Sequence, residues 1–260
     1  MESHAEHRDH FGGLDYPGSS WVFKRDVARG NFPRIPAWGM GDVLVSLLGA
    51  ATFGVVVSLI LMLVHIDPAN GWGLIVAFAA PWVFLAGWPI ASARIKGNKP
   101  SVDFGLVRTP QHLRLGLVAG VISLLLGSSA AAISAALFGP ISSTAGNVGA
   151  RQSGLVFLAF VVFALVGAPI VEELAFRGML YGALCKSQIA PFMSVVISAG
   201  IFSLYHLEPG RIFVLFVIGV VLGEVRRRSG STYASIIAHA VNNAPGIIGL
   251  VLTHYSLMGR

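Results

Sequence analysis

The chain has 260 residues, of which 55% are hydrophobic and only 12% are charged. Soluble domains average about 25% charged residues, so the composition argues against a water-soluble globular protein. The formal net charge is +6, but the basic residues lie mostly at the ends of apolar runs, which indicates membrane orientation and no nucleic-acid partner. The single cysteine, Cys185, excludes an intrachain disulfide and a zinc site built from paired cysteines.

The N-terminal segment 1–41 is polar and precedes the first long apolar run. It contains no short apolar stretch followed by a small-residue cleavage site, so we predict no removable signal peptide. His4, His7 and His10 lie in this segment. We interpret it as a solvated cytoplasmic tail rather than a metal-binding one.

Seven apolar runs follow, and a helix rising about 1.5 Å per residue needs such runs to cross a hydrocarbon layer of about 30 Å. They lie at about residues 43–64, 71–91, 113–138, 154–181, 189–206, 212–225 and 233–253. The sequence predicts an all-α, polytopic membrane helix bundle of about seven transmembrane helices in contact with membrane lipid. The unequal run lengths leave an eighth or re-entrant segment open. Two Gly-xxx-Gly pairs in these runs, Gly116/Gly120 and Gly219/Gly223, predict close helix packing.

Basic residues set the expected orientation. With seven spans and a cytoplasmic N-terminus, 15 of the 18 Lys and Arg residues fall in cytoplasmic segments, as the positive-inside rule requires. The basic segment 94–112, interrupted by Gly and Pro, is interpreted as a cytoplasmic connection. It separates a two-span hairpin at 42–93 from a helix bundle at 113–260.

Ionisable residues also occur away from the ends of these runs, where burying one costs on the order of 3 kcal/mol and usually serves a function. The fourth run contains Glu172 and Glu173, and Arg177 follows four residues after Glu173. Because positions i and i+4 share a helix face, Glu173 can pair with Arg177. Glu172 points about 100° away and stays free to accept and return a proton. The alternative is a buried ion network that only holds helices together.

Two further runs carry histidines. Phe202 and His206 lie one helical turn apart, and so do His239 and Asn243. Two such histidines beside a glutamate pair predict a common site, although either one alone is as often structural. Counting helical rise from the cytoplasmic ends puts Glu172, His206 and His239 at depths of roughly 21, 27 and 16 Å, so a tilted or broken helix has to bring them together. The sequence contains no HExxH motif and no Gly-x-Ser-x-Gly elbow.

Three motifs resemble those of a known family, the CAAX prenyl protease type II and bacteriocin-processing (CPBP, also called Abi) intramembrane proteases. Glu172 to Arg177 resembles its EExxxR motif, Phe202 to His206 its FxxxH motif and His239 to Asn243 its HxxxN motif. The order and spacing of the motifs also agree. The resemblance covers about residues 150–250 and none of the first two runs.

The resemblance implies an intramembrane endopeptidase in which Glu172 and His206 activate water, while His239 and Asn243 stabilise the oxyanion of the tetrahedral intermediate. The implied catalytic residues are Glu172, Glu173, His206, His239 and Asn243, with Arg177 and Phe202 in support. Family members have been described both as metalloproteases and as glutamate-dependent enzymes. A zinc ion held by Glu172, His206 and His239 therefore stays open. We favour metal-independent catalysis, because His239 and Asn243 of the HxxxN motif then both serve as hydrogen-bond donors to the oxyanion.

The implied substrate is a small peptide or a membrane-associated protein, with CAAX-type C-terminal processing as one version. The implied location of this multi-pass integral membrane protein is the plasma membrane of a bacterium. Two alternatives remain: a non-catalytic adaptor or immunity-type protein that keeps the polar cluster for folding or ligand binding, and a transporter that uses the carboxylates as a proton relay. The lack of an evident inverted repeat disfavours the transporter.

Overall fold

The structure is a computed structural model that describes residues 16–258, with side chains described up to residue 256. Every regular element in this part of the chain is helical. The expected all-α, polytopic helix bundle is therefore confirmed. The histidines at positions 4, 7 and 10 lie outside the described residues.

The helices, in chain order, are α1 (Trp21–Ala28), α2 (Met40–Leu63), α3 (Gly71–Lys96), α4 (Pro110–Phe138), α5 (Thr144–Ala150), α6 (Gly154–Lys186), α7 (Pro191–Tyr205), α8 (Ile212–Ser229) and α9 (Thr232–Met258). Single helical turns at Pro100–Asp103 and Pro209–Arg211 lie in two of the connections. α3 is interrupted by a π-helical turn at Val83–Gly87.

All seven apolar runs form helices, but they differ in how well they suit a membrane span. Among the described residues, α2, α3, α4, α6 and α9 are long and apolar enough to cross a membrane. α7 is apolar but has only 15 residues, and α8 has 18 and ends in three arginines. Large apolar side chains such as Leu59, Leu63 and Leu125 are exposed on the sides of the bundle, as expected for a surface that faces lipid rather than water.

Close helix contacts form the centre of the bundle, where α4, α8 and α9 pack together and α7 packs along α8. Both Gly-xxx-Gly pairs lie at these contacts. A Cβ added to Gly116 would lie 2.7 Å from the carbonyl oxygen of Ala234, and one added to Gly219 would lie 3.0 Å from Cβ of Ala199. The predicted role of these glycines in helix packing is therefore confirmed.

The helix ends that carry most of the basic residues meet on one side of the bundle. We call this side the basic face and define it by residues 16–38, 94–114, 186–190 and 226–232. The backbone N–H of Trp21 donates to the carbonyl oxygen of Gly230 at 3.0 Å, and Thr232 donates to Phe104 at 3.1 Å. Gly230 has φ +65° and a Cβ there would meet the Trp21 backbone, so this junction needs a residue without a side chain.

Parts of residues 16–38 are packed against the bundle, in contrast to the solvated tail expected from their polarity, whereas most of residues 28–37 are exposed. Tyr16 and Trp38 are each 1% exposed. The Trp38 indole donates to Asp103 at 3.0 Å, and Nζ of Lys186 lies 3.6 Å from the centre of the Trp38 ring. A few irregularly spaced aromatic side chains supply the buried area of this segment. Its average polarity does not indicate them, because many of the other residues are polar. We call residues 16–38 the N-terminal clasp.

The opposite side of the bundle, which we call the distal face, consists of residues 64–70, 139–153, 206–211 and 246–258. The backbone N–H of Gly71 donates to the side chain of Gln152 at 2.9 Å, which joins two of these connections. Thr144 N–H donates to the carboxylate of Glu208 at 2.6 Å, which joins α5 to the α7–α8 connection. The bundle therefore has two distinct ends, one basic and one distal.

Candidate active site

α6 carries the glutamate pair between two π-helical turns, at Phe163–Gly167 and Leu174–Leu180. Pro169 lies two residues after the first of these turns, and its missing N–H prevents a regular α-helical hydrogen bond there. Such widened turns change which helix faces the following residues occupy and are frequent at functional sites. Glu172 faces a cavity, and Glu173 faces the packed core.

Glu173 is fully buried and joins two other site residues. Its Oε1 accepts a hydrogen bond from Arg177 at 2.8 Å and lies 2.9 Å from Nδ1 of His239. Arg177 also donates to the carbonyl oxygen of Gly219 at 3.1 Å, and its guanidinium lies 4.5 Å from the centre of the Phe202 ring. The ion pair expected at i and i+4 is present, and it links α6 to α7, α8 and α9.

Glu172 lies at the point where three helices converge. Its Oε2 is 3.9 Å from Nε2 of His206 and 3.9 Å from Nε2 of His239. This oxygen is buried and has no hydrogen-bond partner among the described residues. A separation of 3.9 Å is too long for a direct hydrogen bond. The structure therefore brings together the three residues whose depths differed in the helical-rise count.

The Nδ1 atoms determine how the two histidines present Nε2. His206 Nδ1 lies 2.8 Å from the carbonyl oxygen of Phe202, and because a carbonyl can only accept, Nδ1 carries the proton. His239 Nδ1 donates in the same way to the carboxylate of Glu173. In the neutral imidazoles, both Nε2 atoms are then acceptors that face Glu172. Three acceptors around one space are suited to a molecule that donates hydrogen bonds, such as water.

Asn243 lies one helical turn after His239 and lines the same cavity. Its Nδ2 donates to the carbonyl oxygen of Ala164 at 3.1 Å, within the first π-helical turn of α6. An asparagine amide has two N–H groups, so the second can donate into the cavity. Pro245 follows inside α9 and interrupts the helical hydrogen bonds just beyond Asn243.

The cavity has a volume of about 810 Å³, within the usual range of about 300–1,000 Å³ for binding sites. Its polar wall is formed by Glu172, His206, His239 and Asn243. Its other walls are mainly apolar, and they include Ile75, Phe78, Trp82, Phe160, Phe163 and Leu250. Apolar walls with a few convergent polar groups can hold a peptide and act on one of its bonds.

Sequence reasoning missed several polar residues on the cavity wall, among them Asn242, Glu208 and Arg211. Asn242 accepts a hydrogen bond from Ser123 at 2.9 Å, and Glu208 pairs with Arg211 at 2.5 Å. Glu208 and Arg211 follow His206 closely in the sequence, and this acid–base spacing at i and i+3 is the signal that points to them. Asn242 has no such signal beyond its position next to Asn243.

Residues 154–245 match the family model for type II CAAX prenyl endopeptidase Rce1-like proteins. The match starts with α6 and ends just after Asn243, so it contains all three motifs. The match supports the CAAX protease family for this segment. The chain has no match among curated proteins or solved structures. The match and the five long apolar helices support an integral membrane protein, and the match supports a CAAX-type intramembrane endopeptidase in general.

Glu172, His206 and His239 have the donor types of a His₂Glu zinc site. Their spacing differs from such a site, because tetrahedral ligands about 2.1 Å from zinc lie about 3.4 Å from one another. Glu172 Oε2 is 3.9 Å from each Nε2. Within residues 16–258, no group of three or more His, Cys, Asp and Glu side chains is arranged to hold a metal ion. The separations from Glu172 Oε2 are wider than those of a zinc site by about 0.5 Å, and zinc binding by Glu172, His206 and His239 stays a hypothesis.

Proposed function

We propose that this CAAX protease hydrolyses a peptide bond with a water molecule that Glu172 and His206 activate. The observation that supports the proposal is the convergence of Glu172 Oε2 with Nε2 of His206 and Nε2 of His239, each 3.9 Å away. A water between Glu172 and His206 has a carboxylate that can take one of its protons and an imidazole that orients it. Both groups lie in the cavity that can hold the peptide.

In the first step, the water oxygen attacks the carbonyl carbon of the peptide bond while one water proton moves to Glu172. The carbonyl oxygen then becomes an oxyanion. His239, in its protonated form, and Asn243 are proposed to donate hydrogen bonds to it. In the second step, the carbon–nitrogen bond breaks and Glu172 returns the proton to the leaving amine.

Glu173 and Arg177 are proposed as positioning residues, since neither lines the cavity. Glu173 holds His239 through Nδ1, so that Nε2 points toward the reacting atoms. Its negative charge also supports an imidazolium at His239 during the reaction, as carboxylates do in hydrolase triads. Arg177 balances the buried charge of Glu173, and the Phe202 ring packs against Arg177.

The proposed substrate is a small peptide or a membrane-associated protein, with CAAX-type C-terminal processing as one version. The match of residues 154–245 to the Rce1-like family supports a substrate of this kind. The proposed location is the plasma membrane of a bacterium.

The proposal is tested by peptide release from purified protein, with and without a chelator. Glu172→Gln is expected to lose at least about 100-fold in rate, because it cannot accept the proton. The chelator is expected to have no effect. Glu224→Gln, which changes a carboxylate at the basic end of α8, is the control and should keep full activity. Full activity of Glu172→Gln would exclude Glu172 as the general base. A loss of activity in the chelator that added zinc restores would show that the reaction depends on zinc.

A further inference from the structure

The cavity is closed toward the basic face. Every residue of α6 from Glu173 to Cys185 is buried. Directly beneath Glu172, the side chains of Phe176, Arg177 and Met179 are fully inaccessible. This packed layer lies on the basic side of Glu172 and leaves no open route for a peptide along α6.

The cavity extends toward the distal face, because the lining residues come from the distal parts of the surrounding elements. These parts are residues 75–82 of α3, 143–150 in and before α5, 160–172 of α6, 211–218 at the start of α8 and 239–253 of α9. His206 and Glu208 line it at the distal end of α7. The elements that open the cavity are therefore the ones that form the distal face.

Charge distinguishes the two faces. Within residues 16–258, the basic face contains 13 Lys and Arg residues, whereas the distal face contains only Arg151 and Arg211. Segments rich in Lys and Arg next to membrane spans stay on the cytoplasmic side. The basic face is therefore expected to be cytoplasmic and the distal face extracytoplasmic.

From these observations we infer that the substrate enters the site from the extracytoplasmic side. The substrate class is then a peptide or membrane-protein segment that has been exported or is exposed outside the cytoplasm, rather than a cytoplasmic C-terminal tail. This inference rests on the proposed function, since it concerns access to the same catalytic groups. The N-terminal clasp supports it, because Trp38 and its neighbours cover the basic face further.

The first experiment determines which face admits substrate. Purified protein is tested in detergent, where both faces are open, and in sealed vesicles with a randomised quenched-fluorescent peptide library added outside. Asn147→Cys places a thiol on the exposed cavity wall of α5, and Ser187→Cys places one at an exposed site on the basic face. The native Cys185 is fully buried and should stay unlabelled.

A bulky, membrane-impermeant thiol reagent is then added outside the vesicles. Labelled Asn147→Cys is expected to fall to the rate of Glu172→Gln, while labelled Ser187→Cys keeps the rate of the unlabelled variant. Loss of hydrolysis with Ser187→Cys and not with Asn147→Cys would overturn the inference. No hydrolysis in detergent by the wild type would instead overturn the proposed function, and the inference with it.

The second experiment determines which face lies outside the cell. Ser142→Cys, at an exposed distal position, and Ser187→Cys are labelled with the same reagent in intact cells and after permeabilisation. Ser142→Cys is expected to react in intact cells, and Ser187→Cys only after permeabilisation. The reverse pattern would place the cavity mouth in the cytoplasm and overturn the extracytoplasmic substrate class, even if the catalytic proposal holds.

Discussion

Glu173 Oε1 lies 2.9 Å from Nδ1 of His239, across a sequence separation of 66 residues. Glu173 is fully buried, so its link to the cavity runs through this imidazole. The adjacent Glu172 lines the cavity directly. The two neighbouring glutamates therefore differ in role: one faces the reacting molecules, and the other fixes a residue that does.

Replacing Glu173 tests its positioning role. Glu173→Gln keeps the shape of the side chain but removes the charge that faces His239. We expect kcat to fall about 10- to 100-fold, as for other residues that orient a catalytic group. KM should change little, because Glu173 does not contact the cavity. Steady-state kinetics separate the two constants, and a raised KM with unchanged kcat would contradict this role.

Replacing Arg177 tests the buried ion pair. Arg177→Met leaves Glu173 buried without a counter-charge, so we expect the free energy of unfolding to fall by about 3–5 kcal/mol. The double variant Arg177→Met with Glu173→Gln should recover much of this loss. Arg228→Met is the control: its side chain is 73% exposed, and it should cost less than about 1 kcal/mol. Denaturant unfolding in detergent measures all three, and equal effects of Arg177→Met and Arg228→Met would contradict the prediction.

Replacing Asn243 tests the proposed oxyanion donor. Asn243→Ala is expected to lower kcat by about 100- to 1,000-fold with little change in KM, because the hydrogen bond is needed mainly in the transition state. Asn242→Ala is a matched comparison, since Asn242 is engaged with Ser123. Its loss of kcat should be much smaller. Asn243 has no donor role if both variants have the same kcat.

Two helical glycines offer a matched test of close packing. Gly116→Ala would place Cβ 2.7 Å from the Ala234 carbonyl oxygen, and such overpacking costs about 1–3 kcal/mol. Gly200 in α7 has no atom within 4 Å of an added Cβ, so Gly200→Ala should stabilise the protein by about 0.4–1 kcal/mol. Thermal unfolding of both variants checks the prediction, which fails if they shift Tm equally.

Asp103 lies outside the membrane spans and gives a pH dependence. Burial raises the pKa of its carboxyl above the ordinary value of 3.8, although hydrogen bonds from Asn98 and Trp38 act against this. Because the folded state then binds the proton more tightly than the unfolded state, this carboxyl favours folding most below pH 3.8 and least above its raised pKa. Asp103→Asn removes the titrating group.

The free energy of unfolding of Asp103→Asn should therefore fall less than that of the wild type as the pH rises from 3.8. Denaturant unfolding at several pH values compares the two slopes. Asp67→Asn, which changes an exposed carboxylate on the distal face, is the control and should keep the wild-type slope. Identical slopes for Asp103→Asn and the wild type would show that Asp103 does not titrate in this range.

Local relationships in the site could be predicted from the sequence. The Glu173–Arg177 pair follows from i and i+4 spacing, and polar residues in apolar runs pointed to Glu172, His206 and His239. Their meeting point could not be derived from helical rise, because that count assumes regular helices that start at the same depth. α6 contains two π-helical turns, and His206 follows the end of the short helix α7.

Contacts between distant segments were harder to predict. The Trp38 indole and Asp103 are 65 residues apart, and no spacing rule relates them. The charged end of α8 was also hard to predict. The sequence shows the apolar part of this helix, but it does not show that the Arg226 side chain at its basic end is buried, with 1% exposed. The Arg226 guanidinium donates to the carbonyl oxygen of Gly18 at 3.2 Å, so part of this basic end is buried in protein.

The N-terminal clasp has a consequence for biogenesis. Gly18 and its partner Arg226 are separated by 208 residues, and Trp21 bonds to Gly230. The ribosome makes the clasp early and its partners Arg226 and Gly230 late, because synthesis runs from the N-terminus. These two contacts therefore form only after α8 has been translated.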